Sequence, residues 1–299
     1  MAPDWLWALV TLAAASAQTL RNAMQRDLIG ALGAVGAAQV RFLFALPFAA
    51  LFLLGALAAT GLEAPSVSLA DLGWTAFAAL SQVIATALML AAMSSRSFVV
   101  AVAYTKTEPA QIALFGLVAL NETLSLQLVS AIALATLGVV LMSVTSRREL
   151  AHHWRAAALG VISATFFAFA AVGFRAAVVS VATPSPVIAA STILLVGLLI
   201  QSATLIAWLA LFDSAGARAI LREWRGSLAA GFTGALASQF WFVAFALSDA
   251  ARVRTLGLIE VPLAQIVSLK VFREPPSLRE IVGMSLIVAA AAILVRAEG

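Results

Sequence analysis

The chain has 299 residues, 63% hydrophobic and only 11% charged, with a mean hydropathy of +1.04. A soluble domain carries roughly 25% charged residues, so this composition excludes one and indicates an all-α polytopic membrane protein. The net charge of +4 comes from arginines assigned to loops, which bears on orientation and not on nucleic acid; the absence of cysteine removes disulfides, thiol nucleophiles and thiolate metal sites together.

In chain order, the first expected span is about Trp5–Leu20. It contains Ala15-Ser16-Ala17, which resembles a signal-peptidase site, but no basic residue precedes it, and it is read as retained. Span two is about Gly36–Ala59, bent by Pro47, and span three about Leu72–Met93. Span four, Phe98–Leu120, and span five, Leu124–Val144, are followed by the charged loop SRRELAHHWR. Then come spans six (Ala156–Val179), seven (Val187–Phe212), eight (Ser227–Leu247), nine (Val253–Val271) and ten (Arg279–Val295). No stretch is long or polar enough for a soluble domain.

Tyr104–Leu126 organises this series, because its landmarks return in Leu256–Leu278. Glu108 answers to Glu260, Glu122 to Glu274 and Ser125 to Ser277, each 152 residues on (260−108, 274−122, 277−125). A separation of half the chain is the mark of an internal repeat, with units 1–150 and 151–299. Each unit holds five spans. An odd number leaves the chain on the opposite side, so the second copy inserts upside down. The expected architecture is ten transmembrane helices in two inverted five-helix repeats around a central cavity, an arrangement of secondary transporters. Alanines at helical spacing, Ala87/Ala91 and Ala131/Ala135, permit close backbone approach, though high alanine content alone explains them as well.

The order of these pieces resembles the drug/metabolite transporter superfamily, EamA type. The matching elements are Arg41-Phe42 opening span two, Glu108-Pro109, Asn121-Glu122 before Ser125-Leu126, the glycine of Thr136-Leu137-Gly138-Val139-Val140, and the set from Glu260-Val261-Pro262 to Glu274. A Trp-Gly pair usual late in span one is missing, where this chain reads ASAQTLRN. The resemblance implies a cavity that exports or exchanges amino acids and other small metabolites.

Ionisable groups at bilayer depth are costly and face a partner or water. The candidate substrate-binding residues are therefore Lys106, Glu108, Gln111, Gln82, Gln239, Trp241, Glu260 and Gln265. Lys106 offers a cation to a substrate carboxylate, and Glu108 a base to an ammonium or a coupled proton. Pro109 and Pro262, which lack a backbone donor, are candidate hinges. A structural alternative stands beside each role. The glutamates would bond backbone groups left unpaired near the prolines, Lys106 would neutralise one glutamate, and the glutamines would tie helix to helix. Glu122 and Glu274 sit at helix junctions, Ser277-x-x-Glu280 reads as a capping box, and His152-His153 belong to a solvated basic loop.

The expected function is a secondary transporter in a bacterial inner membrane, multi-pass, working by alternating access on amino acids or related metabolites, with protons as a candidate coupling ion. It needs no cofactor or metal, contacts membrane lipid and binds no nucleic acid. It is not expected to be an enzyme, since no histidine or cysteine lies within a span. The alternative is a passive channel, or a non-transport membrane protein such as an intramembrane enzyme or sensor. Bases concentrate after the odd-numbered spans (Arg96, Arg147, Arg148, Arg218, Arg222), so charge favours both termini outside, against the family habit of both inside.

Overall fold

The computed structural model describes residues 3–94, 105–143, 154–272 and 276–296. Within them the chain is helical, with no strand. The first half supplies α1 (Leu6–Leu43), α2 (Leu46–Thr60), α3 (Leu69–Ser94), α4 (Glu108–Leu120) and α5 (Leu126–Ser143). The second supplies α6 (Trp154–Ser180), α7 (Pro186–Phe212), the short α8 (Ser214–Arg222) and α9 (Trp224–Leu247). It ends with α10 (Ala250–Leu256), a 3-10 turn over Gly257–Ile259, α11 (Glu260–Phe272) and α12 (Leu278–Arg296).

Six stretches of these residues are long and apolar enough to cross a membrane: Gln39–Thr60, Leu69–Met89, Ala158–Ser180, Pro186–Phe212, Trp224–Leu247 and Leu278–Arg296. α4 and most of α5 are apolar but shorter. Large apolar side chains cover the outside, among them Leu54, Val118, Leu126, Ile206 and Leu278. Apolar exposure on that scale suits lipid better than water, and with the six spans it fits a multi-pass helical membrane protein. Glu274, His152, His153 and the beginning of the expected fourth span (98–104) lie outside the described residues.

The first expected span and the start of the second fall in one helical run, α1, and the second is broken at Phe44-Ala45, just before Pro47 in the first turn of α2. Pro47 therefore starts a helix, where its missing N–H costs nothing, and does not bend the middle of one. α1 is not straight. A β-carbon on Gly234 would lie 3.4 Å from Arg21 Cδ and 3.6 Å from the Arg41 carbonyl oxygen. Twenty residues of straight helix would part those two backbones by about 30 Å. The run therefore turns back on itself between Arg21 and Arg41.

The broadest helix contacts pair α3 with α6, α1 with α9 and α5 with α12; α4 also packs on α6, and α2 on α7. Small residues set the α5–α12 crossing. A β-carbon on Gly138 would sit 2.6 Å from the Gly283 carbonyl oxygen, and one on Gly283 would sit 2.6 Å from that of Gly138. Ala131, Ala135 and Ala290 are buried. The other alanine pair singled out for close packing, Ala87 and Ala91, is exposed.

Side chains close the helix ends. Ser277 N–H gives to Glu280 Oε2 at 2.6 Å, and Glu280 N–H reaches Ser277 Oγ at 3.4 Å, the expected capping box. Ser68 and Asp71 form a second one on α3 (2.8 and 3.1 Å), and Ser180 Oγ of α6 gives to the same Asp71 at 2.5 Å. α4 stops at Asn121, whose φ of 53° is left-handed, and the Glu122 N–H turns back to the Gly116 carbonyl at 3.1 Å.

Candidate functional site

Both Glu-Pro landmarks stand directly after a break in helical order. A turn at Lys106-Thr107 precedes α4, with Pro109 in its first turn, and the 3-10 turn Gly257–Ile259 precedes α11, with Pro262 two residues in. A proline that starts a helix loses no backbone bond. It fixes where the helix begins, and so where Glu108 and Glu260 stand. Glu108 lies twelve residues before Leu120, about 18 Å along the axis at 1.5 Å per residue.

The charges pair across the two halves of the chain. Lys106 Nζ meets Glu260 Oε1, and Arg254 binds Glu108 through both carboxylate oxygens, Nε to Oε1 and Nη2 to Oε2 at 3.0 Å each. The two-pronged geometry is one a guanidinium makes and an ammonium cannot. Glu260 is further held by Gln18 Nε2, and Gln18 Oε1 accepts from the Trp241 indole N–H at 2.9 Å. The Arg254 guanidinium stacks 4.7 Å from the Trp241 ring centroid. On the same indole sits Gly257, where a β-carbon would come within 2.4 Å of Cη2. Lys106, Glu108, Trp241 and Glu260 thus belong to one connected cluster, joined by Gln18 and Arg254.

Beside it lies a small, partly open cavity of about 30 Å³ between α1, α3, α6, α7 and α9. Gln82 reaches its wall and accepts from Gln201 Nε2 at 2.6 Å. Arg21 and Arg41 also line it, with Phe42, Phe174 and Phe242 as apolar walls. Arg41 Nη2 gives to Thr86 Oγ1 at 2.8 Å, and among the described residues Arg21 gives only to the side chain of Asn22.

The remaining candidates stand apart. Gln111 accepts from Thr165 Oγ1 of α6 at 2.7 Å and gives to Thr107 at 3.2 Å, tying α4 to α6. Gln239 gives to Ser191 Oγ at 2.8 Å between α9 and α7, leaving its Oε1 buried without a partner. Gln265 is half-buried on α11. Glu122 holds a junction, in an ion pair at 3.4 Å with Arg175, which also reaches Asp249 at 3.6 Å and the Phe245 carbonyl.

Gln18, Arg21, Arg41, Gln201 and Arg254 were not among the sequence candidates. Arg21 stands just past the first expected span and Arg254 at the edge of the ninth, yet Arg21 is buried and Arg254 is paired inside. Their nearness to apolar runs was the available signal, and span ends uncertain by a few residues concealed it.

No family profile matches the chain, and no curated protein does. A solved structure described only as "Crystal structure of protein" is similar, with a TM-score of 0.69 at 16% identity over 95% of this chain and 97% of that one. The likeness is one of fold. Nearly all of the chain follows an architecture that another protein also adopts.

Proposed function

We propose that the chain is a secondary transporter of the EamA-like drug/metabolite type, moving small metabolites such as amino acids across a bacterial inner membrane by alternating access. The observation that carries this reading is the reciprocal pairing of Lys106 with Glu260 and of Arg254 with Glu108. Each half lends a cation to the other half's carboxylate. Two bodies that must part and rejoin around a midplane site need contacts of this kind, since ion pairs can be exchanged for a ligand's charges while a fused apolar core cannot.

Ten crossings in two inverted repeats are consistent with the packing. The α3–α6 and α1–α9 contacts exchange under a two-fold relation between the halves, and α5–α12 maps onto itself. The reversal within α1 allows two crossings there, and α4 and α10–α11 make broken ones. A depth of about 18 Å puts Glu108 near the middle of a ~30 Å core. Counterflow in proteoliposomes tests the reading. Saturable uptake of a labelled solute, accelerated by the same solute inside, is expected; flux that is linear in concentration would leave a channel, and no flux at all a non-transport protein.

A further inference from the structure

The interior cations and carboxylates do not balance. Among the described residues, four cations, Arg21, Arg41, Lys106 and Arg254, stand around the cavity and the adjoining cluster, against two carboxylates, Glu108 and Glu260. Both carboxylates are taken, by Arg254 and by Lys106 with Gln18. Neither Arg21 nor Arg41 makes a salt bridge to a carboxylate among the described residues; Glu260 attracts Arg21 only from beyond contact, and the two arginines lie close enough to repel one another. Arg21 is more than nine-tenths buried and spends its hydrogen bonds on Asn22. Arg41 has a buried Nε with no partner at all.

Burying a guanidinium without a counter-charge is expensive, and two side by side are more so. Their heads border the same partly open cavity, whose volume of about 30 Å³ leaves room for a few waters. A planar, two-oxygen anion is the group that two such forks fit. We propose that Arg21 and Arg41 form an anion subsite, and that the transported solute is a small organic acid or acidic amino acid whose carboxylate docks there when the halves part. Phe42, Phe174 and Phe242 give its carbon skeleton an apolar wall, and the Gln82–Gln201 pair gives a polar edge. The net excess of two positive charges favours a solute of net negative charge over a neutral zwitterion. The proposal rests on the transport reading for its cargo but not for its binding.

The test is a thermal-shift titration of the purified full-length protein with succinate, glutamate, alanine and lysine, paired with competition for counterflow. Succinate and glutamate are expected to raise the melting temperature and to compete, and alanine and lysine to do neither. Arg41→Gln and Arg21→Gln are expected to weaken the succinate shift by at least about tenfold. Should those variants fail to fold, Arg41→Lys and Arg21→Lys keep the charge, lose the fork and still bind more weakly. Stabilisation by alanine or lysine equal to that by succinate overturns the proposal, as does an unchanged succinate affinity in folded variants. The two readings fail separately. Anion binding without saturable flux keeps the subsite and removes the transporter; saturable alanine flux untouched by Arg41→Gln does the reverse.

Discussion

Arg254 of α10 and Glu108 of α4, 146 residues apart in sequence, meet through two parallel hydrogen bonds of 3.0 Å. Removing one partner leaves a charge in an interior that cannot solvate it. Glu108→Gln or Arg254→Met alone is expected to cost about 3 kcal/mol, the lower end of the range for buried pairs because Arg254 keeps some exposure. The double variant should recover most of this while transport stays lost. Melting temperature in detergent beside counterflow separates the two effects, and a double variant as unstable as the singles would show that the pair does not act as a unit.

Lys106 makes a sharper case, because its sequence neighbour Glu108 is not its partner. Lys106→Met should strand Glu260, so Glu260→Gln should restore stability in that background and Glu108→Gln should not. Comparing the two double variants by thermal melting decides it. Rescue by Glu108→Gln would contradict the cross-half pairing.

Gly257→Ala places a methyl where the Trp241 indole lies, with Cη2 only 2.4 Å away. Rigid surroundings make such overpacking cost about 1–3 kcal/mol. The ring should tilt off Arg254 and loosen its bond to Gln18. Tryptophan fluorescence should shift and transport should slow, whereas Ala91→Gly on the outer face should change neither.

The α5–α12 crossing leaves no space for a side chain at Gly138. Gly138→Leu should force the helices apart and lower the yield of folded protein, while Ala87→Leu on the exposed face should stay within about 0.5 kcal/mol of the parent. Equal yields for both would mean that the crossing is not tight.

Burial, helped by the nearby charge of Asp249, raises the Glu122 carboxyl above its ordinary value, outweighing Arg175 and the Ala250 N–H. A raised acid favours the folded state when protonated. Its contribution is full below the ordinary value of 4.5 and lost as pH climbs through the raised one. Glu122→Gln should therefore flatten the fall in melting temperature just above pH 4.5. A slope unchanged by the substitution would assign that pH dependence to other groups.

Helicity and the landmarks Glu108, Pro109, Glu260 and Pro262 were legible because glutamate and proline in apolar runs are rare and these recur at nearly the same offset, 152 and 153 residues (260−108, 262−109). Partnership was not. Lys106 stands two residues from Glu108 and 154 from Glu260, and only the packing of α4 beside α10 and α11 selects the distant one. Arg21 and Arg254 were hidden for a related reason, since a base at a span's edge looks the same whether it snorkels to the surface or turns inward. The outward face of Ala87 and Ala91 was equally unreadable, because alanine suits lipid and helix contacts alike.

The cross-half pairing also bears on how the protein is made. Synthesis reaches Lys106 and Glu108 well over a hundred residues before Arg254 and Glu260, the partners they hold in the finished fold. The first half is therefore made carrying two charges whose partners come only with the second, and the ion pairs join early chain to late.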